Sequence, residues 1–164
     1  MKKSTTTPLP LLVLWQKDKL GKVNIKPVFQ RNRVWTEQNQ ELLIDSVLKE
    51  IYIPEVVFTS NDEFEFIVID GQQRIGSILE FLNDRLKITQ NTVINGQDIS
   101  GLTYSQLPDN IKAEINSYTI NYVMITGTDQ EIRDLFLRLQ NSVPLNTSEK
   151  NNAIGGSIRE FVNE

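Results

Sequence analysis

The sequence contains neither cysteine nor histidine in its 164 residues. Without cysteine, the chain has no disulfide, no thiolate nucleophile and no cysteine-ligated metal site. Without histidine, it has no Ser–His–Asp triad, no histidine general base, no ordinary zinc site and no histidine-dependent nuclease motif. Any catalysis by this chain must therefore use carboxylates, amides, lysine or arginine, together with a hard cation such as Mg²⁺.

Long hydrophobic runs are also absent, and no stretch is long enough to span a membrane. The apolar run over residues 9–15 is short, contains Pro10 and is not followed by a small-residue cleavage site, so it does not indicate a signal peptide. We therefore expect a cytoplasmic protein without a membrane partner. An excess of positive charge is missing as well. The formal net charge of −4 disfavours a DNA-binding protein that works by overall charge.

The length fits one domain, and strands and helices alternate along it. Apolar spacing and capping residues predict helices over residues 9–20, 36–51, 72–82, 108–117 and 128–139, and from about 147 onwards. Strands are predicted at residues 22–26, 56–59, 64–69, 86–89, 93–94 and 119–125, the second and third forming a hairpin. This alternation predicts a single α+β domain over residues 1–164. Because the last helical pattern is still running at Glu164, we expect the N-terminal part of a longer protein.

The strand-to-helix junction Asp70-Gly71-Gln72-Gln73-Arg74 is the most informative segment. The first N–H groups of a helix have no internal partner and the helix dipole favours negative charge there, so such a junction can bind an anion. It can also be only a turn, with Asp70 and Gln73 as a capping box and Gly71 allowing the tight bend. A cap requires neither Gln72 nor Arg74, and a positive charge in the first turn is unfavourable by a few tenths of a kcal/mol. A bound anion would account for Arg74 through its planar donor fork.

Two further segments combine polar and large apolar residues. In the first, Gln30 and Arg31 either lie in solvent beside apolar core residues or line the same pocket as the junction, with Trp35 as a wall. Composition alone favours the solvent interpretation. In the second, residues 136–146, the apolar side chains belong to a helix and Arg138 is expected at the surface.

Together, the three segments resemble a known family. The matching residues are Phe29-Gln30-Arg31 with Val34-Trp35, then Asp70-Gly71-Gln72-Gln73-Arg74, then Phe136-x-Arg138-Leu139 leading to Pro144-Leu145 and Glu149. In this order they resemble the N-terminal domain of GmrSD-type restriction enzymes, and the resemblance extends from about Leu9 to Ala153. It implies a ParB/sulfiredoxin-like fold, in which helices flank a small mixed sheet. It also implies a domain that binds, and in some members hydrolyses, nucleoside triphosphate within systems that restrict modified phage DNA, with a downstream nuclease domain or subunit as partner.

The resemblance assigns a nucleotide site to the junction, with nucleoside triphosphate and Mg²⁺ as the expected cofactors. The expected contacts are Asp70, Gly71, Gln72, Gln73 and Arg74, with Gln30, Arg31 and the hydroxyl of Ser77 in addition. Arg74 would neutralise phosphate charge, and Asp70 would hold Mg²⁺ or orient water. These two are the expected catalytic residues, since phosphoryl transfer depends mainly on positioning and charge stabilisation.

The chain departs from the family pattern at three places. Ile75-Gly76-Ser77 replaces Leu-Thr-Thr, Arg138-Leu139-Gln140 replaces Arg-Leu-Asn, and Glu149-Lys150-Asn151-Asn152-Ala153 replaces Glu-x-Arg-Asn-Ala. The first change removes a hydroxyl and the last removes an arginine. The resemblance therefore leaves open whether this domain is an Mg²⁺-dependent NTPase or binds nucleotide without hydrolysing it.

Two alternatives compete with nucleotide binding. One is a DNA-sensing or partner-binding module without catalysis, which would bind duplex DNA in a salt-dependent way. Its best support is a group of basic residues: Lys22, Lys26, Arg31 and Arg33. The other is nuclease activity of the chain itself, which would need a cluster of metal-binding carboxylates. The nearby carboxylates are Asp62, Glu63, Glu65 and Asp70, of which the first two are expected on a loop surface, so this alternative ranks lowest.

Overall fold

The computed structural model describes residues 1–25 and 35–140. In these residues the strands are β1 (Lys2–Lys3), β2 (Thr7–Pro10), β3 (Val23–Asn24), β4 (Val56–Thr59), β5 (Phe66–Asp70), β6 (Val93–Ile94), β7 (Gln97–Asp98) and β8 (Thr119–Thr126). The helices are α1 (Leu11–Lys19), α2 (Glu37–Leu48), α3 (Gln72–Leu82), α4 (Asp109–Ser117) and α5 (Asp129–Gln140), with a 3₁₀ turn at Tyr104–Gln106. No helix in these two ranges is long and apolar enough to cross a membrane.

One mixed sheet organises the fold, with strand order β1-β8-β4-β5-β3 and with β2 also paired to β8. Strand β4 runs antiparallel to β5 and parallel to β8, and β3 runs parallel to β5. The last residues of β3 and β5 and the first residues of β4 and β8 therefore lie towards the same end of the sheet. We call it the α3 end, because α3 begins there. Strands β6 and β7 form a separate hairpin.

Helices cover both faces of the sheet. Side chains of successive strand residues point to opposite faces, so neighbouring residues of one strand pack against different helices. In β4, Val56 and Phe58 belong to the main core with α1, α2, α3 and α4, whereas Val57 packs against a smaller cluster that includes α5. In β5, Val68 lies in the main core and Ile69 in the smaller cluster. The structure thus confirms an α+β class with a mixed sheet flanked by helices.

Most of the predicted elements that fall in the described ranges are present. Helix α2 begins after Thr36, whose hydroxyl oxygen accepts the Asn39 N–H as predicted for an N-cap. Helix α5 begins with the predicted capping box of Thr128 and Glu131. The hairpin of β4 and β5 forms, although its loop covers residues 60–65 rather than 60–63. The predicted apolar stripe of α3 is fully buried: Ile75, Ile78, Leu79 and Leu82.

Three predictions are wrong. Helix α1 begins at Leu11 rather than Leu9, because the residues just before it form β2, which pairs with β8. The apolar pattern of the sequence predicts neither β1 nor β2. Helix α2 ends at Leu48 and Ile51 is 51% exposed, because Glu50 adopts a left-handed φ of 53° that does not continue a helix. Residues 86–89 form no strand. The predicted loop and last helix after residue 140 lie outside the described residues.

Candidate functional site

The α3 end of the sheet holds the junction between β5 and α3. Asp70 is the last residue of β5, and Gly71 turns the chain into α3 with a left-handed φ of 94°. A Cβ atom on Gly71 would lie 2.5 Å from Val56 Cγ1. Any larger residue here meets both backbone strain and a clash with β4. The close approach of β4 to the turn therefore requires glycine.

The N-terminus of α3 has no side-chain cap. The predicted capping box is wrong, because Gly71 is the N-cap residue and Asp70 is still part of β5. The Gln73 amide oxygen instead accepts the Trp35 N–H at 3.1 Å. Among residues 1–25 and 35–140, no side chain accepts the first N–H groups of α3, those of residues 72–74. They offer donors at the positive end of the helix dipole, the arrangement that an anion needs.

Arg74 is held by groups of the protein itself. Its Nη1 donates to the carbonyl oxygens of Pro54 and Glu55 at 2.7 and 3.2 Å, and its Nη2 donates to Asp70 Oδ2 at 2.8 Å. Only 15% of the Arg74 side chain is exposed. These acceptors account for an arginine in the first turn of α3 without a bound anion. The inference from sequence that Arg74 needs an anion therefore loses its support.

The other two polar side chains of the predicted site differ in accessibility. Gln72 is half-buried, and its amide nitrogen makes one long contact of 3.4 Å to the Val68 carbonyl oxygen. Among the residues that the structure describes, its amide oxygen has no hydrogen-bond donor. Ser77 is fully buried and its hydroxyl donates to the Gln73 carbonyl oxygen at 2.7 Å, which leaves it no exposed atom for a ligand.

Parts of the three sequence segments meet at the α3 end. Trp35, from the first segment, packs against the main core and donates its N–H to Gln73. Phe136, from the third segment, packs with Ile69 in the smaller cluster, one residue before Asp70. The fold therefore brings residues that are far apart in sequence to the two sides of the junction.

Several residues of the predicted sites have no described position. Gln30 and Arg31 lie outside the described residues, as do Lys26 and Arg33 of the basic group. The remaining member of that group, Lys22, donates to the Glu63 carbonyl oxygen at 3.2 Å. Arg138 is exposed in the last turn of α5, as predicted.

Carboxylates do not gather into a metal site in residues 1–25 and 35–140, where no group of three or more could hold an ion. Asp62 and Glu63 are exposed on the loop before β5, as predicted, and Glu65 pairs with Lys17 at 2.7 Å. The cluster that nuclease activity would need is therefore not formed by these carboxylates.

Asp70 is a single carboxylate whose side chain is 40% exposed, with Oδ2 paired to Arg74. Nucleotide-bound Mg²⁺ commonly takes one or two protein carboxylates together with phosphate oxygens. The Asp70 carboxylate fits a Mg²⁺ ion that arrives with a phosphate ligand. It does not by itself form a metal site.

Sequence reasoning missed the groups that hold the junction from the β4 side. These are the carbonyl oxygens of Pro54 and Glu55 and the side chain of Val56. Every residue has a backbone carbonyl, so no sequence pattern could have singled out these two. In the sequence, the pattern around Val56 predicts only an apolar residue of a strand.

Comparison with known proteins identifies the family. A family model described as GmrSD restriction endonuclease, N-terminal domain, matches residues 12–154, a range that contains all three segments. No curated protein and no solved structure matches the chain significantly, so the ParB/sulfiredoxin-like fold stays a prediction. The family model describes the N-terminal domain of a restriction endonuclease. Restriction implies phage defence, and the name of the full enzyme implies a nuclease domain as the partner of this N-terminal domain. The chain therefore belongs to the N-terminal domains of GmrSD restriction endonucleases.

Proposed function

We propose that this domain binds nucleoside triphosphate at the α3 end of the sheet and acts as the nucleotide-dependent module of its restriction system. The observation that carries the proposal is the N-terminus of α3, which no side chain of the described residues caps and which Trp35 of the first segment contacts. Phe136 of the third segment lies in the cluster that contains Ile69, near the end of β5. Phosphate groups bind at such helix starts because N–H donors and the helix dipole act together. Because the net charge of the chain is −4, its overall electrostatic field does not attract an anion. In the proposed complex, the N–H donors at the start of α3 attract the phosphate groups instead.

The proposed contacts follow from which donors are accessible. The N–H groups of residues 72–74 would donate to phosphate oxygens, and the Gln72 amide would add a side-chain contact. Asp70 would orient a water molecule or hold the Mg²⁺ that accompanies the nucleotide, an ion that would neutralise phosphate charge. No covalent intermediate is needed, because phosphoryl transfer depends on positioning and charge stabilisation. A phosphate-release assay shows whether the bound nucleotide is hydrolysed.

Calorimetric titration with ATP, GTP, CTP and UTP in the presence of Mg²⁺ tests the proposal. We expect at least one of them to bind the wild-type chain. Gln72→Ala should weaken that binding about tenfold, the effect of losing one hydrogen bond to a charged group. The matched control is Gln38→Ala, which removes an exposed glutamine from the first turn of α2, a helix start already capped by Thr36. This control should leave the affinity unchanged.

A phosphate-release assay on the same samples separates an NTPase from a protein that only binds nucleotide. If no nucleotide binds the wild-type chain, or if Gln38→Ala weakens binding as much as Gln72→Ala, the proposed site is wrong. Duplex DNA binding that falls steeply with salt and needs no nucleotide would favour a DNA-sensing module instead.

A further inference from the structure

The contacts of Arg74 point to a role different from phosphate binding. We infer that Arg74 positions the turn between β5 and α3 and does not itself contact the phosphate. The unit that it forms with Asp70 and the carbonyl oxygens of Pro54 and Glu55 is named here the Arg74 clamp. The ligand part of this inference rests on the proposed function, whereas the clamp itself does not.

The clamp joins three parts of the chain. It links the first turn of α3 to the last residue of β5 and to the segment that enters β4. Moving the guanidinium to a phosphate would take this donor away from two carbonyl oxygens and this cation away from Asp70. An acceptor or charge that is shielded from water and loses its partner raises the free energy of the folded state. A phosphate contact would have to recover that loss before it contributed to affinity.

Gly71 shows how closely the clamp lies over the turn. A Cβ atom on Gly71 would be 3.2 Å from Arg74 Nη2 as well as 2.5 Å from Val56 Cγ1. The guanidinium therefore lies so close over the turn that a Cβ atom on residue 71 would make it shift by a few tenths of an ångström. Asp70, Gly71 and Arg74 of the motif form one structural unit. The direct phosphate contacts then fall to Gln72 and to the N–H groups of residues 72–74, and Asp70 keeps the proposed role towards Mg²⁺ or water.

The clamp is tested first without ligand. Arg74→Gln and Asp70→Asn should each lower the urea midpoint, and the double variant should lower it by less than the sum of the two. The control is the pair Lys49–Asp45, whose lysine side chain is half exposed and which has the same four-residue spacing and a distance of 2.8 Å. Lys49→Gln should move the midpoint little, as expected for a surface ion pair. Additive effects of the two junction substitutions would overturn the inference.

The ligand role is tested with inorganic tripolyphosphate and ¹⁵N-labelled protein. We expect the backbone N–H signals of residues 72–74 to move during the titration, while the Arg74 guanidinium signals stay in place. Arg74→Lys keeps the charge but has one nitrogen in place of the two Nη groups that reach the carbonyls and Asp70 separately, so it does not reproduce the planar fork. It should therefore lose tripolyphosphate binding as fully as Arg74→Gln.

The possible results decide between the roles. Arg74 guanidinium signals that move with the N–H signals, or Arg74→Lys binding within about twofold of wild type while Arg74→Gln binds nothing, would show a charge contact and overturn the inference. If the two junction substitutions are coupled in stability but wild type binds neither tripolyphosphate nor nucleotide, the clamp is supported and the proposed function is wrong.

Discussion

Gly71 carries two constraints at a single residue. Its φ of 94° lies in the left-handed region, and the position faces Val56 Cγ1 at a distance that no Cβ atom can tolerate. Gly21, after α1, shares the left-handed conformation with a φ of 68° but has no atom within 4 Å of a Cβ built there. The pair of glycines therefore separates the cost of the backbone conformation from the cost of the clash.

Gly71→Ala should lower the free energy of unfolding by about 2–4 kcal/mol, the sum of left-handed strain and overpacking. Gly21→Ala should cost only about 1 kcal/mol, because strain acts alone there. Urea denaturation of both variants measures the difference. Equal losses in the two variants would mean that β4 moves away from the turn at little cost.

At the scale of elements, α3 is fixed differently at its two ends. Its start is uncapped and is held through the Arg74 clamp, whereas its end is joined to the 3₁₀ turn by Asp84. Asp84 has a φ of 62°, and its Oδ1 accepts the Ser105 N–H at 2.7 Å. This hydrogen bond lowers the pKa of Asp84 below its ordinary value of 3.8. A carboxylate with a lowered pKa stabilises the fold at higher pH and loses that effect as the pH falls.

Asp84→Asn should reduce the acid sensitivity of the fold. The contribution of Asp84 is complete above pH 3.8 and is lost as the pH falls below it, because the unfolded chain then binds the proton more tightly. Asparagine tolerates the left-handed backbone, so the substitution removes mainly the charge. Urea denaturation between about pH 5 and pH 3 should show a smaller loss of stability in the variant than in wild type. A loss of the same size in both would exclude this role.

Elements with strong local signals are the ones that sequence predicts. The stripe of α3, the capping residues Thr36 and Thr128 and the apolar strand β5 each specify their structure within a few residues. Strands β1 and β2 carry no such signal, because they are short and depend on pairing with β8. The junction was predictable in its location, since the apolar strand pattern ends at Asp70-Gly71 and a helical pattern follows. The contacts of Arg74 were not, since they go to backbone carbonyls that come close only in the folded sheet.

At the scale of the whole molecule, the two faces of the sheet are covered unequally. The main core lies under α1, α2, α3 and α4, while the smaller cluster on the other face is covered by α5 in the described part of the chain. Phe136 of α5 is buried in that cluster beside Ile69. Phe136, the first residue of the third family segment, therefore contributes to the packing beneath the strand that leads into the junction.

Phe136→Ala should lower the free energy of unfolding by about 3–5 kcal/mol, the usual cost of deleting a buried phenyl ring. Because Phe136 belongs to the same cluster as Ile69, which directly precedes Asp70, the backbone N–H signals of residues 72–74 should also shift. Ile111→Ala, in the main core on α4, should cost about 2–5 kcal/mol and leave those signals in place. Chemical denaturation and ¹⁵N spectra of the two variants check both expectations. Unchanged junction signals in Phe136→Ala would show that α5 does not support the site.

The way in which Arg74 grips the segment before β4 has a consequence for sequence divergence in this family. The acceptors are main-chain oxygens of residues 54 and 55, which any amino acid supplies. The clamp itself therefore places no constraint on the side chains of residues 54 and 55, whereas it constrains the number of residues between α2 and β4. A single insertion or deletion would present a different carbonyl to the guanidinium. At this edge of the site we therefore expect the number of residues before β4 to be retained in the family, rather than the amino acids at positions 54 and 55.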